Sequence, residues 1–285
     1  MSLIIREAVS DDASECGRIC YEAFRAIAEE HNFPPDFPST EVAVSMLSAM
    51  LASSTSYGAV AELDGKIAGS NFLDERNPIS GVGPISIDPR AQNHGIGGRL
   101  MRAVMERSER KGFAGIRLVQ SGYHSRSLSL YSKLGFEVRE HLSCMQGNAI
   151  GGTIPGCTVR AAVEGDVDSC AALCVRAHGH NRTGELRSAI RQGVATVVER
   201  AGRTTGYATA IAIFGHAVAE TNDDLRALIA AAKAFEGPGV LIPSRNGELM
   251  RWCLGKGLRM VFSMTLMTMG LYNEPASAYL PSVLY

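Results

Sequence analysis

An internal repeat constrains the fold of this 285-residue chain more than any other feature of its sequence. Shifting the sequence by 154 positions aligns residues 6–23 with residues 160–177, and seven of these eighteen positions are identical. A second match, at a shift of 137, aligns residues 60–69 with residues 197–206 in a strand, turn, strand pattern. A chain that matches itself in this way is built from one structural unit used twice.

The order of the matches defines the limits of the two copies. Weaker matches at shifts of 125 and 122 follow the first two in the same order, so the second copy is shorter by 17 residues and then by a further 12. We therefore predict copy one at residues 1–147, a Gly-rich linker at 148–156 and copy two at 157–285. The chain length agrees with two domains of ordinary size.

Composition excludes several classes of protein. With 28 basic and 29 acidic side chains the net charge is −1, and 46% of residues are hydrophobic, so nucleic-acid binding and intrinsic disorder are not expected. No apolar stretch suits a signal peptide or a membrane span, so we expect a soluble, cytoplasmic protein without a membrane partner. The pairs Cys16/Cys20 and Cys170/Cys174 have helical spacing, and we expect buried free thiols.

The pattern of copy one predicts an α/β fold of the α+β kind, with a mixed, mostly antiparallel sheet flanked by helices in each copy. The hydrophobic periods and turn signals predict the elements in this order: strand 3–8, helix 11–28, helix 39–51, strands 58–63 and 67–73, strand 84–87, helix 96–111, strand 115–120, helix 126–134 and strand 136–143.

A Gly-rich turn between a predicted strand and a predicted helix is the first functional signal. It runs from Gln92 to Gly98 and has the sequence Gln-Asn-His-Gly-Ile-Gly-Gly. Glycines let backbone N–H groups approach a ligand, and a helix N-terminus carries about half a positive charge, so the turn suits an anion such as pyrophosphate. It is not a dinucleotide fingerprint, because Leu100 stands where a third glycine is needed, and it lacks the Gly-Lys-Ser/Thr of a P-loop.

Together with its flanks, this turn resembles the acyl-CoA-binding motif of the GNAT superfamily of N-acetyltransferases. The resemblance rests on the pattern Q/R-x-x-G-x-G/A at the turn, on residues 84–90 before it and on residues 129–137 after it. It covers nearly all of copy one.

The resemblance implies a role for each matching residue. The amides of the turn would hold the coenzyme A pyrophosphate, the preceding strand would bind the pantetheine arm through its backbone, and Tyr131 would protonate the departing thiolate. The cofactor-binding residues are then Ile85, Ser86, Ile87, Gln92, Asn93, His94, Gly95, Ile96, Gly97 and Gly98.

The implied activity is transfer of an acetyl group from acetyl-CoA to a primary amine of a small molecule or peptide, by direct attack and without a metal. The alternative is a non-catalytic acyl-CoA sensor or scaffold. A homodimer is possible on this scaffold.

His124 departs from the family pattern, which commonly has Asn seven residues before the tyrosine. Its ring could hydrogen-bond the coenzyme, transfer a proton or lie exposed, and we include it among the cofactor-binding candidates. No residue identifies itself as the general base. Asp74, Glu75 and Asp88 are candidates by position, and a water-relayed proton would leave no trace in the sequence.

The Pro-rich loop at residues 33–38 bears two aromatic side chains and has no counterpart in the shorter copy two. In the family this segment lies over the acceptor site. We therefore name Phe33 and Phe37, with Asp74 and Glu75, as candidate substrate-binding residues.

Copy two lacks the residues of the motif. Its aligned turn replaces glycines with carboxylates, and a carboxylate 4 Å from a phosphate charge is unfavourable by about 4 kcal/mol at an effective dielectric constant near 20. Cys253 stands in the tyrosine position, with Asn246 seven residues before it. We expect one active site per chain, in copy one.

Overall fold

The computed structural model describes residues 2–284 and shows two β-sheets flanked by helices, which confirms the predicted fold class. Met1 and Tyr285, the outermost residues of the two predicted copies, lie outside the described residues.

Copy one contains six strands and four helices in the predicted order. They are β1 (Leu3–Glu7), α1 (Ala13–Glu30), α2 (Thr40–Ala52), β2 (Ser56–Leu63), β3 (Lys66–Asp74), β4 (Ile79–Ile87), α3 (Ile96–Arg110), β5 (Gly115–Ser121), α4 (Ser125–Lys133) and β6 (Glu137–Gln146). The largest difference from the prediction is at β4, which begins five residues before the predicted Pro84 because the strand continues through Gly81 and Gly83.

Copy two repeats this order and adds one strand. Its elements are β7 (Thr158–Ala161), α5 (Val167–His178), α6 (Thr183–Arg191), β8 (Thr196–Arg200), β9 (Arg203–Ala208), β10 (Ala217–Ala219), α7 (Asn222–Ala231), β11 (Val240–Pro243), α8 (Gly247–Gly255), β12 (Arg259–Gly270) and the additional β13 (Ala278–Leu280).

Equivalent ion pairs explain the strongest identities of the repeat. Arg6 contacts Asp12 at 2.7 Å in copy one, and Arg160 contacts Asp166 at 2.7 Å in copy two. Each arginine also contacts a glutamate in the second strand of its copy, at 2.7 and 2.6 Å. The same residues therefore tie the first strand, the first helix and the hairpin together in both copies.

The larger sheet joins the two copies through exchanged strands. Its order is β1-β2-β3-β4-β5-β12-β6-β11, so β12 of copy two lies between β5 and β6 of copy one, and β6 pairs with β11 of copy two. β12 and β6 occupy equivalent places in the repeat, which makes the exchange reciprocal. The repeat boundary at residues 148–156 is thus not a boundary between the sheets.

The smaller sheet has the order β13-β10-β9-β8-β7 and is antiparallel throughout. β13 takes the place beside β10 that β5 takes beside β4 in copy one. The chain after β12 therefore fills the position in copy two that corresponds to the β4–β5 junction.

Both copies have closely packed apolar cores. All seven cysteines are free, and Cys16, Cys20, Cys170 and Cys174 are fully buried on their helices, as predicted. In the chain from residue 2 to residue 284, no helix combines the length and the apolar character needed to cross a bilayer.

Because the copies share a sheet, we expect the chain to unfold in a single transition. Leu100 in copy one and Leu225 in copy two are both fully buried. Truncating either to Ala removes about 2–5 kcal/mol of stability and should lower the same Tm by roughly 5–15 °C. Differential scanning calorimetry of the two variants tests this. Two transitions, each moved by only one variant, would show that the copies unfold independently.

Candidate active site

A gap between β4 and β5 forms the centre of the site. The two strands are parallel and pair only where residues 79–81 meet residues 115–117. Beyond this point β4 bulges, since Leu73 pairs with Val82 but Asn71 pairs with Ile85. The edge of β4 that faces β5 is then unpaired along Ile85–Ile87, whose other edge still bonds to β3. Backbone N–H and C=O groups along this edge are available to a ligand.

The Gly-rich turn lies at the end of β4 and leads into α3. Asn93 and Gly95 have positive φ angles of 69° and 74°, which turn the backbone sharply enough for α3 to begin at Ile96. No side chain caps this helix, so its first N–H groups have no side-chain acceptor. The helix N-terminus thus presents free donors and partial positive charge to an anion.

The two following glycines have different surroundings. A Cβ atom on Gly97 would lie 3.3 Å from Leu130 and 3.4 Å from Ile87, so α3 packs closely against α4 and β4 here. A Cβ atom on Gly98 would have no neighbour nearer than 3.9 Å. Gly97 permits close packing, whereas Gly98 leaves space beside the helix N-terminus.

Side chains of the turn hold its shape. Arg126 of α4 donates to Gln92 Oε1 at 2.9 Å and to Asn93 Oδ1 at 2.8 Å. His94 is exposed, and its Nδ1 lies 3.1 Å from the Ala91 carbonyl oxygen. Arg126 therefore fixes the turn and adds a positive charge beside the proposed phosphate position.

Tyr131 lies below the gap in the core of copy one. Its side chain is 5% exposed and belongs to the same apolar cluster as Leu118 of β5, with Ile85 and Ile87 of β4 at the margin of that cluster. Burial raises the pKa of the phenol to about 12, and the Ser127 hydroxyl partly opposes this rise. The phenol stays protonated through the neutral range, as a general acid must.

His124 is the N-cap residue of α4, and its Nδ1 contacts the Ser127 hydroxyl. Burial, followed by the nearby positive charge of Arg126, lowers the pKa of the imidazole. Ser127 thus lies between His124 and Tyr131. We did not identify Ser127 from the sequence, although its spacing of three and four residues from these partners is helical.

The candidate carboxylates are each held by an arginine. Arg76 donates to both oxygens of Asp74 through Nε, at 2.9 and 2.8 Å. Glu75 Oε1 accepts a hydrogen bond from Arg107 Nε at 2.7 Å.

Asp88 Oδ2 accepts a hydrogen bond from Arg90 Nη2 at 2.7 Å, and this hydrogen bond keeps the pKa of Asp88 below its usual value. The structure therefore brings Tyr131, His124 and the turn together but leaves Asp74, Glu75 and Asp88 in ion pairs of their own. A role for these three carboxylates in substrate binding or as the base stays a prediction, because each carboxylate already accepts hydrogen bonds from an arginine.

The two aromatic candidates anchor the Pro-rich loop on opposite sides. Phe33 stacks on Tyr123, which follows β5, with ring centroids 4.4 Å apart. Phe37 is buried in the cluster of α1, α2, β2 and β3 and packs edge-on against Phe24 at 5.5 Å.

Between these aromatic anchors lies Asp36, which we did not identify from the sequence because the prolines around it suggested only a rigid loop. Its Oδ2 atom is buried without a hydrogen-bond partner, and burial raises the pKa of the carboxyl to about 6.

Copy two satisfies the equivalent helix N-terminus with its own side chains. Asp224 is 1% exposed and accepts the backbone N–H and the hydroxyl of Thr221 at 3.1 and 2.6 Å, forming a capping box on α7. β13 lies beside β10, and the buried Cys253 takes the place of Tyr131. An anion would meet a buried carboxylate in this copy, which agrees with the prediction of a degenerate second unit.

Residues 2–284 bring together no group of three or more His, Cys, Asp or Glu side chains suited to a metal ion.

Comparison with known proteins gives results consistent with this geometry. Residues 21–136 match the family model described as the acetyltransferase (GNAT) family. Among curated proteins, the mycothiol acetyltransferase of Brachybacterium faecium is 41% identical over 54 residues, which span 19% of this chain and only 16% of that protein.

Two solved structures match almost the whole chain. A protein from Pyrococcus horikoshii that is described as an acetyltransferase has a TM-score of 0.77 at 20% identity, with 99% of this chain and 94% of that chain covered. A tandem GNAT protein from the clavulanic acid biosynthesis pathway has a TM-score of 0.57 at 12% identity, with 94% and 98% covered. At these identities the likeness establishes the fold.

The turn itself can be tested with a matched pair of glycines. Gly95 and Gly112 have φ angles of 74° and 72°, and a Cβ atom on either would meet nothing within 4 Å. Gly95→Ala and Gly112→Ala should therefore lose similar stability, by about 1 kcal/mol, through backbone strain. Only Gly95→Ala should weaken coenzyme A binding in calorimetry, by about tenfold, because only Gly95 shapes the N-terminus of α3. Equal affinities for the two variants would contradict this site.

Proposed function

We propose that this chain transfers the acetyl group of acetyl-CoA to a primary amine by direct attack, and the match of residues 21–136 to the acetyltransferase (GNAT) family model supports this. The main support is that an uncapped helix N-terminus, an unpaired strand edge and a buried tyrosine adjoin one gap in copy one. The equivalent place in copy two is closed by Asp224 and β13.

The direction of the gap gives the order of contacts along the donor. The pyrophosphate would lie on the turn from Gln92 to Gly98, and the pantetheine arm would follow the free edge of Ile85, Ser86 and Ile87. In this proposal the thioester would lie between β4 and β5, near Tyr131. A backbone N–H of the β4 edge would stabilise the oxyanion of the tetrahedral intermediate, a contribution of about 10²–10³ in rate.

Tyr131 supplies the proton that the departing sulfur needs. Its pKa of about 12 keeps the phenol protonated across the working range, and the proton moves only as negative charge develops on sulfur. The Ser127 hydroxyl connects the resulting phenolate to the imidazole of His124. His124 would take up a proton from solvent and return it to Tyr131 through Ser127. In this proposal His124 takes part in proton transfer, which is the role that a non-titrating Asn could not fill.

Tyr131→Phe tests the proposed reaction. The variant keeps the ring but removes the proton, so kcat should fall about 10²-fold with the Kd for coenzyme A unchanged. Release of free thiol from acetyl-CoA over a broad amine panel measures turnover. Cys253→Ala changes the equivalent helix position of copy two and should leave the rate unchanged. If the wild type binds coenzyme A tightly but releases no thiol, the alternative of a non-catalytic acyl-CoA sensor or scaffold is favoured.

Ser127→Ala tests the connection between His124 and Tyr131. The variant should lower kcat by about three- to tenfold without changing the KM for acetyl-CoA, because return of the proton to Tyr131 becomes slower. Ser129→Ala is the control, since that hydroxyl donates to the Ser125 carbonyl at 2.9 Å and faces solvent on the same helix. Equal kcat values for the two variants across pH 6–9 would remove Ser127 from the mechanism.

A further inference from the structure

The Pro-rich loop, residues 33–38, has one anchor beside the end of β5 and the other among α1, α2 and β3. Phe33 fixes it to Tyr123 at the end of β5, and Phe37 fixes it to the cluster that contains Cys20 of α1 and Phe72 of β3. Asp36 stands between these two anchors, which lie on the β5 side and the β3 side of the gap.

Asp36 lies close enough to three groups for its charge to raise their pKa values. They are the thiol of Cys20, the thiol of Cys144 on β6 and the phenol of Tyr123. The Cys20 thiol in turn lies against the Ser86 hydroxyl of β4. Asp36 therefore lies across the strand from the face on which Tyr131 packs, and the thioester position is between them.

The Asp36 carboxylate lacks a counter-charge. Its Oδ2 atom is buried, and no group in residues 2–284 donates a hydrogen bond to it. The thiols and the phenol around it are uncharged at neutral pH, because burial raises the pKa of each of them. An ionised carboxylate in such surroundings is unfavourable until a cation binds it.

Aromatic and apolar side chains surround the same place. Phe262 of β12 meets both Phe33 and Tyr123 edge-on, at 6.3 Å each, and Leu142 and Met264 belong to the same cluster. Aromatic faces attract ammonium groups and accept apolar bodies. A carboxylate next to the amine would be repelled by Asp36. His31 is a titratable neighbour of this cluster, with its ring centroid 5.3 Å from that of Tyr123.

We propose that Asp36 binds the ammonium group of the acceptor, a primary amine with an apolar or aromatic body and no carboxylate next to the amine. This inference rests on the proposed acetyl transfer and names its substrate class. Asp36 first takes one proton from the ammonium group. The amine nitrogen then forms a bond to the thioester carbon, and the carbon–sulfur bond breaks with its electron pair on sulfur. Tyr131 protonates the sulfur, and the second amine proton leaves to solvent.

Asp36→Asn tests the assignment with phenylethylamine as the acceptor. We expect kcat/KM for phenylethylamine to fall at least 30-fold, with the Kd for coenzyme A unchanged. The wild-type kcat/KM should rise with pH through about 6 as Asp36 ionises, and the variant should lose this rise. The kcat/KM for trifluoroethylamine, a weak base that is mostly uncharged at pH 7.5, should fall much less in the variant, because this amine carries no ammonium proton for Asp36 to take.

A stability measurement gives a readout independent of turnover. The folded-state pKa of Asp36 is raised to about 6, so the native protein loses stability as the pH rises from about 4, where the carboxyl of the unfolded chain ionises, to about 6. Asp36→Asn should therefore raise Tm at pH 7.5 by roughly 2–5 °C, and by about half as much at pH 5. Glu41→Gln, on the exposed start of α2, is the control: it should leave kcat/KM unchanged and should not raise Tm, because a hydrogen bond with Ser39 lowers the pKa of Glu41.

The outcomes separate the two proposals. Wild-type protein that acetylates no amine contradicts the proposed function, whatever Asp36 does. Active wild type with an equally active Asp36→Asn variant overturns only the role of Asp36. Faster turnover of α-amino acids than of phenylethylamine overturns the substrate class.

Discussion

The pairing of β12 with β5 is the interaction on which the candidate site depends. β5 pairs with β4 over only three residues, but it pairs with β12 over seven. A strand held so briefly on one edge can diverge from its neighbour only if the other edge is fixed. The gap that would receive the thioester is therefore maintained by a strand from the copy whose equivalent helix N-terminus is capped. The same strand carries Phe262, so the second copy also contributes to the wall of the proposed acceptor site.

The two copies satisfy the same helix terminus in opposite ways. A helix N-terminus always has unpaired N–H groups, which must be paired by a side chain, by water or by a ligand. α3 follows a turn with glycines and has no capping side chain, whereas α7 is capped by Thr221 and Asp224 of its own chain. The first solution leaves the positive end of the helix open to phosphate. The second adds negative charge there and gives a stable helix without a ligand.

The sequence was sufficient to predict the features that depend on local patterns. The repeat, the order of helices and strands and the Gly-rich turn all follow from spacing and turn chemistry, whereas Tyr131 was named only through the resemblance to the GNAT superfamily. The pairing of β12 could not be predicted, because β6 and β12 are equivalent in the repeat and either could complete either sheet.

The side-chain partners were equally inaccessible. Asp74, Glu75 and Asp88 stand near the correct strand ends, but arginines reach them from nearby turns and from α3. Asp36 was missed for the converse reason, since a carboxylate among prolines looks exposed until the fold buries it. Burial and charge pairing depend on the tertiary structure, which a single sequence pattern does not specify.

β13 closes the second copy in a way that the altered residues of its turn alone would not, because it is a tethered strand beside β10. The strand lies in the place that corresponds to the open gap of copy one and is covalently attached to the sheet that it completes. A tethered segment competes with free molecules as if it were present at about millimolar concentration. A free donor would have to displace this built-in competitor before it reached β10. A free donor should therefore enter the second cleft far less readily than the open gap of copy one, whatever its affinity for β10 alone.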